Sequence, residues 1–235
     1  MITKVFTYNG TTKTVPVITD DVSTVTNVII KEGFEIIPAN CFSSYSNLNE
    51  ISLPDSLLTI QDEAFSNVKL VNITLGPNVR DIHIDNPFDN SIQLQNIFVS
   101  SSNKYLTSDD GILFSDDKTI LYCIPPAKNI TFYIVPNTVH TIATCGIAKS
   151  KIEYVIIPSS VKTIRINFLK ECKMLKRVVI FYNYNIPKLD SSTLAMSSLK
   201  ISDIEFIRQL IVTPKLNYAC NFLNFHVFIL MYLIP

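Results

Sequence analysis

The chain has 235 residues, 47% of them hydrophobic, enough to bury a domain-sized core unaided. Its 20 basic and 20 acidic residues cancel, so no net field draws nucleic acid or an anionic membrane from a distance. Glycine occurs 5 times and Trp not at all, while Ile, Val, Leu, Asn, Ser and Thr abound, a balance that favours short strands and turns over an all-helical fold.

Residues 1–24 read as an N-terminal β-hairpin cap. Lys4 to Tyr8 and Lys13 to Ile18 flank Asn9-Gly10, a dipeptide that readily takes the positive φ angles of a tight hairpin turn. Met1 to Asp21 lacks the basic start and apolar run of a secretion signal.

Residues 25–181 are organised by a period. The pattern apolar-x-x-apolar-x-apolar starts at Val25, Leu48, Leu70, Leu94, Ile130, Ile152 and Leu175, at intervals of 23, 22, 24, 36, 22 and 23. Seven residues after the third member of a regular unit stands another apolar residue: Ile37, Ile60, Ile82, Ile142 and Ile164. Further on come Phe42, Phe65, Phe88, Ile147 and Leu169. A unit of this length cannot close its own core, so equivalent residues must stack about 4.8 Å apart in successive coils. Pro54, Pro136 and Pro158 each follow the third apolar residue, where a ring with no N–H stops a strand. The period lies within the leucine-rich-repeat range.

Units such as Leu48-x-x-Ile51-x-Leu53-Pro54-x-x-Leu57-x-x-Ile60-x-x-x-Ala64-Phe65 resemble the BspA-like class of leucine-rich repeats. The single long interval contains Asp110-Gly111-Ile112-Leu113-Phe114, similar to the hairpin that interrupts coils in that family, so a hairpin insertion is placed at about 103–126. The fold class is therefore mainly β: a leucine-rich-repeat solenoid of short parallel strands with an inserted β-hairpin and an N-terminal hairpin cap. The resemblance implies display at the cell surface or outside the cell, with recognition or adhesion as the role.

Residues 182–235 read as a divergent, partly helical C-terminal tail. Ser202-x-x-Glu205 followed by Phe206, Ile207, Leu210 and Ile211 looks like a capping box opening a short helix that Pro214 ends. Leu216 to Pro235 is strongly apolar, but polar residues break it and the unbroken run Val227 to Ile234 is short for a membrane span. It is read as a packed cap or a disordered end, with a membrane span or anchor and a damaged terminus as the alternatives.

No phosphate loop, zinc-protease or serine-hydrolase motif occurs, so no catalytic residue, cofactor or metal is assigned and the chain is read as non-enzymatic. Cys41, Cys123, Cys145, Cys172 and Cys220 form neither a disulfide framework nor a zinc site. Cys41 is expected in the core and Cys172 on a partly exposed loop. His83 and His140 are read as solvated arm residues, and Asp109, Asp110, Asp116 and Asp117 as turn formers.

Residues between the inward members of each strand face the concave side. One such row reads Ile29, Ser52, Thr74, Phe98, Ile134, Ile156 and Val179; the other reads Asn27, Glu50, Asn72, Asn96, Phe132, Tyr154 and Arg177. The face turns apolar from Phe98 onward. Phe98, Phe132, Ile134, Tyr154, Ile156, Arg177 and Val179 are the candidate surface for a protein or glycoconjugate ligand. The alternatives are that the tail or the inserted hairpin covers this face, or that the chain is an intracellular (cytoplasmic) protein-protein scaffold.

Overall fold

The computed structural model describes residues 4–10, 12–18, 21–83, 86–189 and 191–208. Within them the regular secondary structure is nearly all strand, wound as a parallel β-solenoid of about nine turns. In chain order the strands are β1 (Lys4–Tyr8), β2 (Val25–Ile30), β3 (Ile36–Ile37), β4 (Glu50–Ser52), β5 (Thr59–Ile60) and β6 (Asn72–Leu75). They continue with β7 (Asp81–Ile82), β8 (Asn96–Val99), β9 (Leu106–Asp109), β10 (Ile112–Ser115), β11 (Ile120–Cys123) and β12 (Phe132–Ile134). The last are β13 (Thr141–Ile142), β14 (Tyr154–Ile157), β15 (Thr163–Ile164), β16 (Arg177–Tyr182) and β17 (Glu205–Arg208).

Each regular turn gives a longer strand to one wall and a two-residue strand to a second. The first wall runs β1-β2-β4, then β6-β8, then β12-β14-β16-β17; the second contains β3-β5-β7 and, beyond the insertion, β11-β13-β15. Register keeps like beside like: Val28 faces Ile51, Ile73 faces Ile97 and Val155 faces Val178. Between β4 and β6, which lie in separate sheets, the stack is continued by Lys69 N–H donating to the Leu48 carbonyl at 2.8 Å. Proline sets the corner. The carbonyls of Pro54, Pro136 and Pro158 accept the N–H groups of Leu57, Val139 and Val161, and each of those three side chains is buried.

The return arc uses left-handed backbone at two recurring places. Asn40, Glu63, Asn86, Cys145 and Asn167 precede the inward ladder, and Asn67, Asn90, Lys149, Glu171 and Met196 follow it, all at positive φ. Asn recurs here because its short polar side chain tolerates that region. Between these residues Phe42, Phe65 and Phe88 stack, with ring centroids 5.4 and 5.7 Å apart and planes within 8°.

The insertion forms a partition. β9 and β10 pair antiparallel, β10 pairs antiparallel with β11, and β11 rejoins the solenoid parallel to β13. Its apolar side chains point both ways. Leu106, Leu113 and Cys123 belong to a core cluster running back to Tyr8, whereas Ile112, Phe114, Leu121 and Ile124 belong to a second that runs on to Ile204. Polar links cross the wall: Lys149 Nζ reaches Asp89 Oδ1 at 3.0 Å, and Asn86 Nδ2 donates to the Cys145 carbonyl at 3.3 Å.

Both ends differ from the sequence expectation. Residues 4–18 form no hairpin: β1 pairs parallel with β2, and Thr14 makes a parallel bridge to Ile36. They are a further coil, because the exposed edges of β2 and β3 satisfy more backbone groups than a two-residue turn would. Tyr8 and Val15 keep the seven-residue spacing of Ile30 and Ile37, and both are buried. At the other end, the segment expected to open a helix at Ser202 is a 3-10 turn, Ile201–Asp203, followed by strand β17. β17 pairs parallel with β16 over four residue pairs, so tertiary pairing overrides the local capping signal. Leu210, Ile211, Pro214 and the apolar run beyond lie outside the described residues, as do Cys220 and His226.

Candidate binding face

The first wall presents its alternate residues away from the core, and the two ends of that face differ in chemistry. Near the N-terminus it is polar and self-satisfied. Asn27 Nδ2 donates to Glu50 across adjacent strands, and Asn96 Nδ2 donates to Asn72 Oδ1 at 2.8 Å. A shallow depression of about 380 Å³ lies over Asn27, Ile29, Glu50 and Ser52. The inserted hairpin closes this section: Ile97 N–H donates to the Gly111 carbonyl at 2.9 Å, and Ser108 Oγ donates to the Ile97 carbonyl at 2.6 Å.

Beyond the hairpin the face is apolar and aromatic. Phe132, Tyr154 and Arg177 stand in one register row, and Ile134, Ile156 and Val179 in the next. Phe98 is not brought into this sheet; it lies on β8, opposite Thr74. Phe98 and Phe132 are 45% and 40% exposed, whereas Tyr154, Ile134 and Arg177 are half-buried. Ile156 and Val179, expected as open surface, are only 2% and 6% exposed, and with Phe181 they form a small third cluster that Ile134 and Ile207 pack against. The expectation of an open surface fails there because alternation tells which way a side chain points, not what lies over it.

Charge on this face is tied down. Arg177 Nε and Nη2 donate to the two carboxylate oxygens of Glu205 at 2.7 and 2.9 Å, a fork that holds the guanidinium pKa above its ordinary value. Lys176 donates to Glu153 at 2.7 Å and lies 5.9 Å from the centre of the Tyr154 ring. Glu205 and Ile207 were missed in the sequence because β17 was read as helix; Phe181 lies on β16, one residue past the last member of its repeat pattern, Ile180. The signal was Ile201-x-x-Ile204-x-Phe206, the repeat pattern itself.

The groups capable of chemistry are engaged in structure. Burial pushes the thiols of Cys41 and Cys123 up to about 12, which leaves almost no thiolate at neutral pH. Cys172 is wholly buried rather than on an exposed loop, and its Sγ donates to the Ile147 carbonyl at 3.3 Å. His83 pairs with Asp62 on an exposed arm. In the insertion, Asp109 is bridged by Lys118 at 2.6 Å and Asp110 by Lys128 at 3.1 Å, while Asp117 accepts from Ser115 and Thr119, which lowers its pKa. Among the described residues, no three His, Cys, Asp or Glu side chains are grouped to hold a metal ion, and no helix is long and apolar enough to cross a membrane.

Known structures share this architecture. A leucine-rich cell surface protein of Faecalibacterium prausnitzii superposes with a TM-score of 0.64 at 21% identity, over 74% of this chain and 52% of that one. The pneumococcal vaccine antigen PcpA gives 0.56 at 23% identity, over 79% and 57%. A leucine-rich repeat protein of Bacteroides ovatus gives 0.55 at 18% identity, over 88% and 55%. The chain thus matches little more than half the length of each. No curated protein matches the sequence. The sequence model of the BspA type leucine-rich repeat region matches in six copies, across residues 20–115 and 122–223. With the matched coils spanning most of its length, this chain belongs to the BspA-type leucine-rich-repeat family.

Proposed function

We propose that this protein is a non-enzymatic recognition module of the cell surface that holds a protein or glycoconjugate ligand against the apolar part of its concave face. The observation that carries the reading is the pair of large aromatic side chains, Phe98 and Phe132, held 45% and 40% exposed on rigid strands. Tyr154, next to Phe132 in register, and the Arg177–Glu205 fork border it. Aromatic groups on a preorganised scaffold lose little entropy on binding and make effective anchors. Surface display is supported by two structural neighbours, a leucine-rich cell surface protein and a vaccine antigen. An intracellular scaffold using the same face is the alternative; the free, buried thiols of Cys41, Cys123 and Cys172 favour it.

The test uses the purified chain on cultured epithelial cells and immobilised matrix proteins. Phe132→Asp combined with Tyr154→Asp lowers retention at least about tenfold, the loss of one modest anchor, with an unchanged circular dichroism spectrum. Undiminished retention would remove these residues from the binding surface. Labelling intact source cells with an impermeant biotin reagent marks the protein if it is displayed; an unlabelled protein favours the scaffold.

A further inference from the structure

We infer that Cys123 and Cys145 are a disulfide site: a low-molecular-weight disulfide such as oxidised glutathione joins their sulfurs and staples the inserted partition to the coil that follows it. The two residues stand 22 positions apart, one coil of the repeat, so stacking sets them on adjacent turns. β11 pairs parallel with β13, Leu121 facing Ile142, and further along the same pair of segments the Ile124 N–H donates to the Gly146 carbonyl at 2.7 Å. Cys123 and Cys145 immediately precede those two bonded residues. Asn86 touches both: its side chain hydrogen-bonds the Cys123 thiol, and its Nδ2 donates to the Cys145 carbonyl at 3.3 Å. Both cysteines carry thiols in this structure and both are buried. Burial and then the charge of Cys145 push the Cys123 thiol up to about 12, so ionisation of one sulfur is felt at the other.

The other described cysteines are engaged elsewhere. Cys41 lies in the first stack with Tyr8 and Tyr45, and the Cys172 sulfur sits 3.3 Å from the Ile147 carbonyl and 3.6 Å from Ser150 Oγ. The reaction is two successive exchanges. Cys145, at 8% the more exposed of the pair, attacks as its thiolate: its sulfur bonds to one sulfur of oxidised glutathione, the S–S bond breaks, and one glutathione thiolate leaves. The Cys123 thiolate then displaces the second glutathione. Two protein S–H bonds are lost and one S–S bond forms, while the two protons and two electrons leave on two molecules of reduced glutathione. Because both sulfurs are buried, the first exchange waits for local opening. In chain order the partition stands between β8 and β12, which carry Phe98 and Phe132. In an oxidising compartment the bond therefore fixes the boundary between the two parts of the concave face. Cys123 is then a thiol inside a cell and half of a disulfide outside one.

The experiment incubates the purified, reduced full chain with oxidised glutathione in mildly alkaline buffer until its thiol content is constant. Remaining thiols are blocked with iodoacetamide in denaturant, and unreduced peptides are read by mass spectrometry. A peptide pair joined through Cys123 and Cys145 is expected, and dithiothreitol removes it. In a Cys145→Ala chain, Cys123 is recovered as the alkylated thiol. The joined chain melts about 5 to 10 °C above the reduced one, because the bond closes a loop of about one coil in the unfolded state. The main readings come from the unaltered chain, so they stand even if the variant does not fold. Three results overturn the inference: both cysteines recovered as alkylated thiols after oxidation, either one bonded instead to Cys41, Cys172, Cys220 or a second chain, or a joined chain that melts at or below the reduced one. None of these readings involves a ligand or the cell surface, so this inference and the binding reading can fail separately.

Discussion

The coils before the inserted partition and those after it are built to one period but store their specificity in opposite places. Before it, the ladder is aromatic: Phe42, Phe65 and Phe88 stack nearly parallel, flanked by Tyr8 and Tyr45, whose hydroxyls meet at 2.6 Å inside the core. The concave face there is polar and bonded to itself through Asn27, Glu50, Asn72 and Asn96. After it, the ladder is aliphatic, Ile147, Leu169 and Leu194, while the face carries Phe132, Tyr154 and Ile156. Aromatic rings admit few arrangements, so the first stack fixes its geometry from within. An aliphatic ladder is more permissive, and both stacks tie coil to coil with a side-chain donor three residues after the ladder position: Ser91 Oγ bonds to the Phe65 carbonyl in the first, and Cys172 Sγ and Ser197 Oγ to the carbonyls of Ile147 and Leu169 in the second.

The sharpest way to break this contrast is at Phe65, whose ring stacks on both Phe42 and Phe88. Phe65→Ala costs about 3 to 5 kcal/mol, a transfer loss plus a cavity between two rigid rings. Leu169→Ala in the second stack costs about 2 to 4 kcal/mol, since flexible aliphatic neighbours close part of the gap. Urea midpoints measure both. Equal losses would mean the aromatic ladder has no special rigidity.

The partition is tested next. Gly111 sits at φ +74°, and a Cβ there would come within 2.4 Å of Asn96 Oδ1 and 2.9 Å of Asn96 Cβ. Gly111→Ala combines backbone strain with that collision and costs about 1 to 3 kcal/mol. Because the wall seals both cores, the variant lowers a single cooperative transition; two separated transitions would show that the stacks fold independently. A smaller effect is expected at Lys149, which reaches Asp89 across the wall and Glu171 on its own side. Lys149→Met costs about 1 kcal/mol, since both carboxylates keep access to water. A double-mutant cycle with Asp89→Asn shows whether that loss belongs to the link between stacks.

How far the fold could be read from the residues depends on whether the information is repeated or met once. The coils from Val25 to Phe181 were legible because each writes the same apolar residues in the same phase. The end coils were missed for a shared reason. Asn9-Gly10 and Ser202-x-x-Glu205 are strong local signals, yet a free strand edge beside them offers a whole row of backbone partners. Tyr8 with Val15, and Ile201 with Ile204 and Phe206, carried the period all along. The three consecutive apolar residues Ile112, Leu113 and Phe114 also fit a strand buried on both faces. For the candidate site, alternation placed all seven residues on one face, but not the burial of Ile156 and Val179, which depends on what packs over the sheet.

The smallest effect at neutral pH is the most selective probe of the cores. Cys41 belongs to the first stack and Cys123 to the partition, and burial raises both thiols from about 9 to about 12. The folded chain therefore holds these protons more tightly than the unfolded chain. Their stabilising contribution is complete below about pH 9, where the unfolded thiols are still protonated, and is lost as pH rises toward about 12. Thermal midpoints of the native chain thus decline across that window beyond the decline of a Cys41→Ala, Cys123→Ala variant, while the two differ by a constant offset below it. Identical slopes would place both thiols in contact with water, and the partition would then not seal the first core.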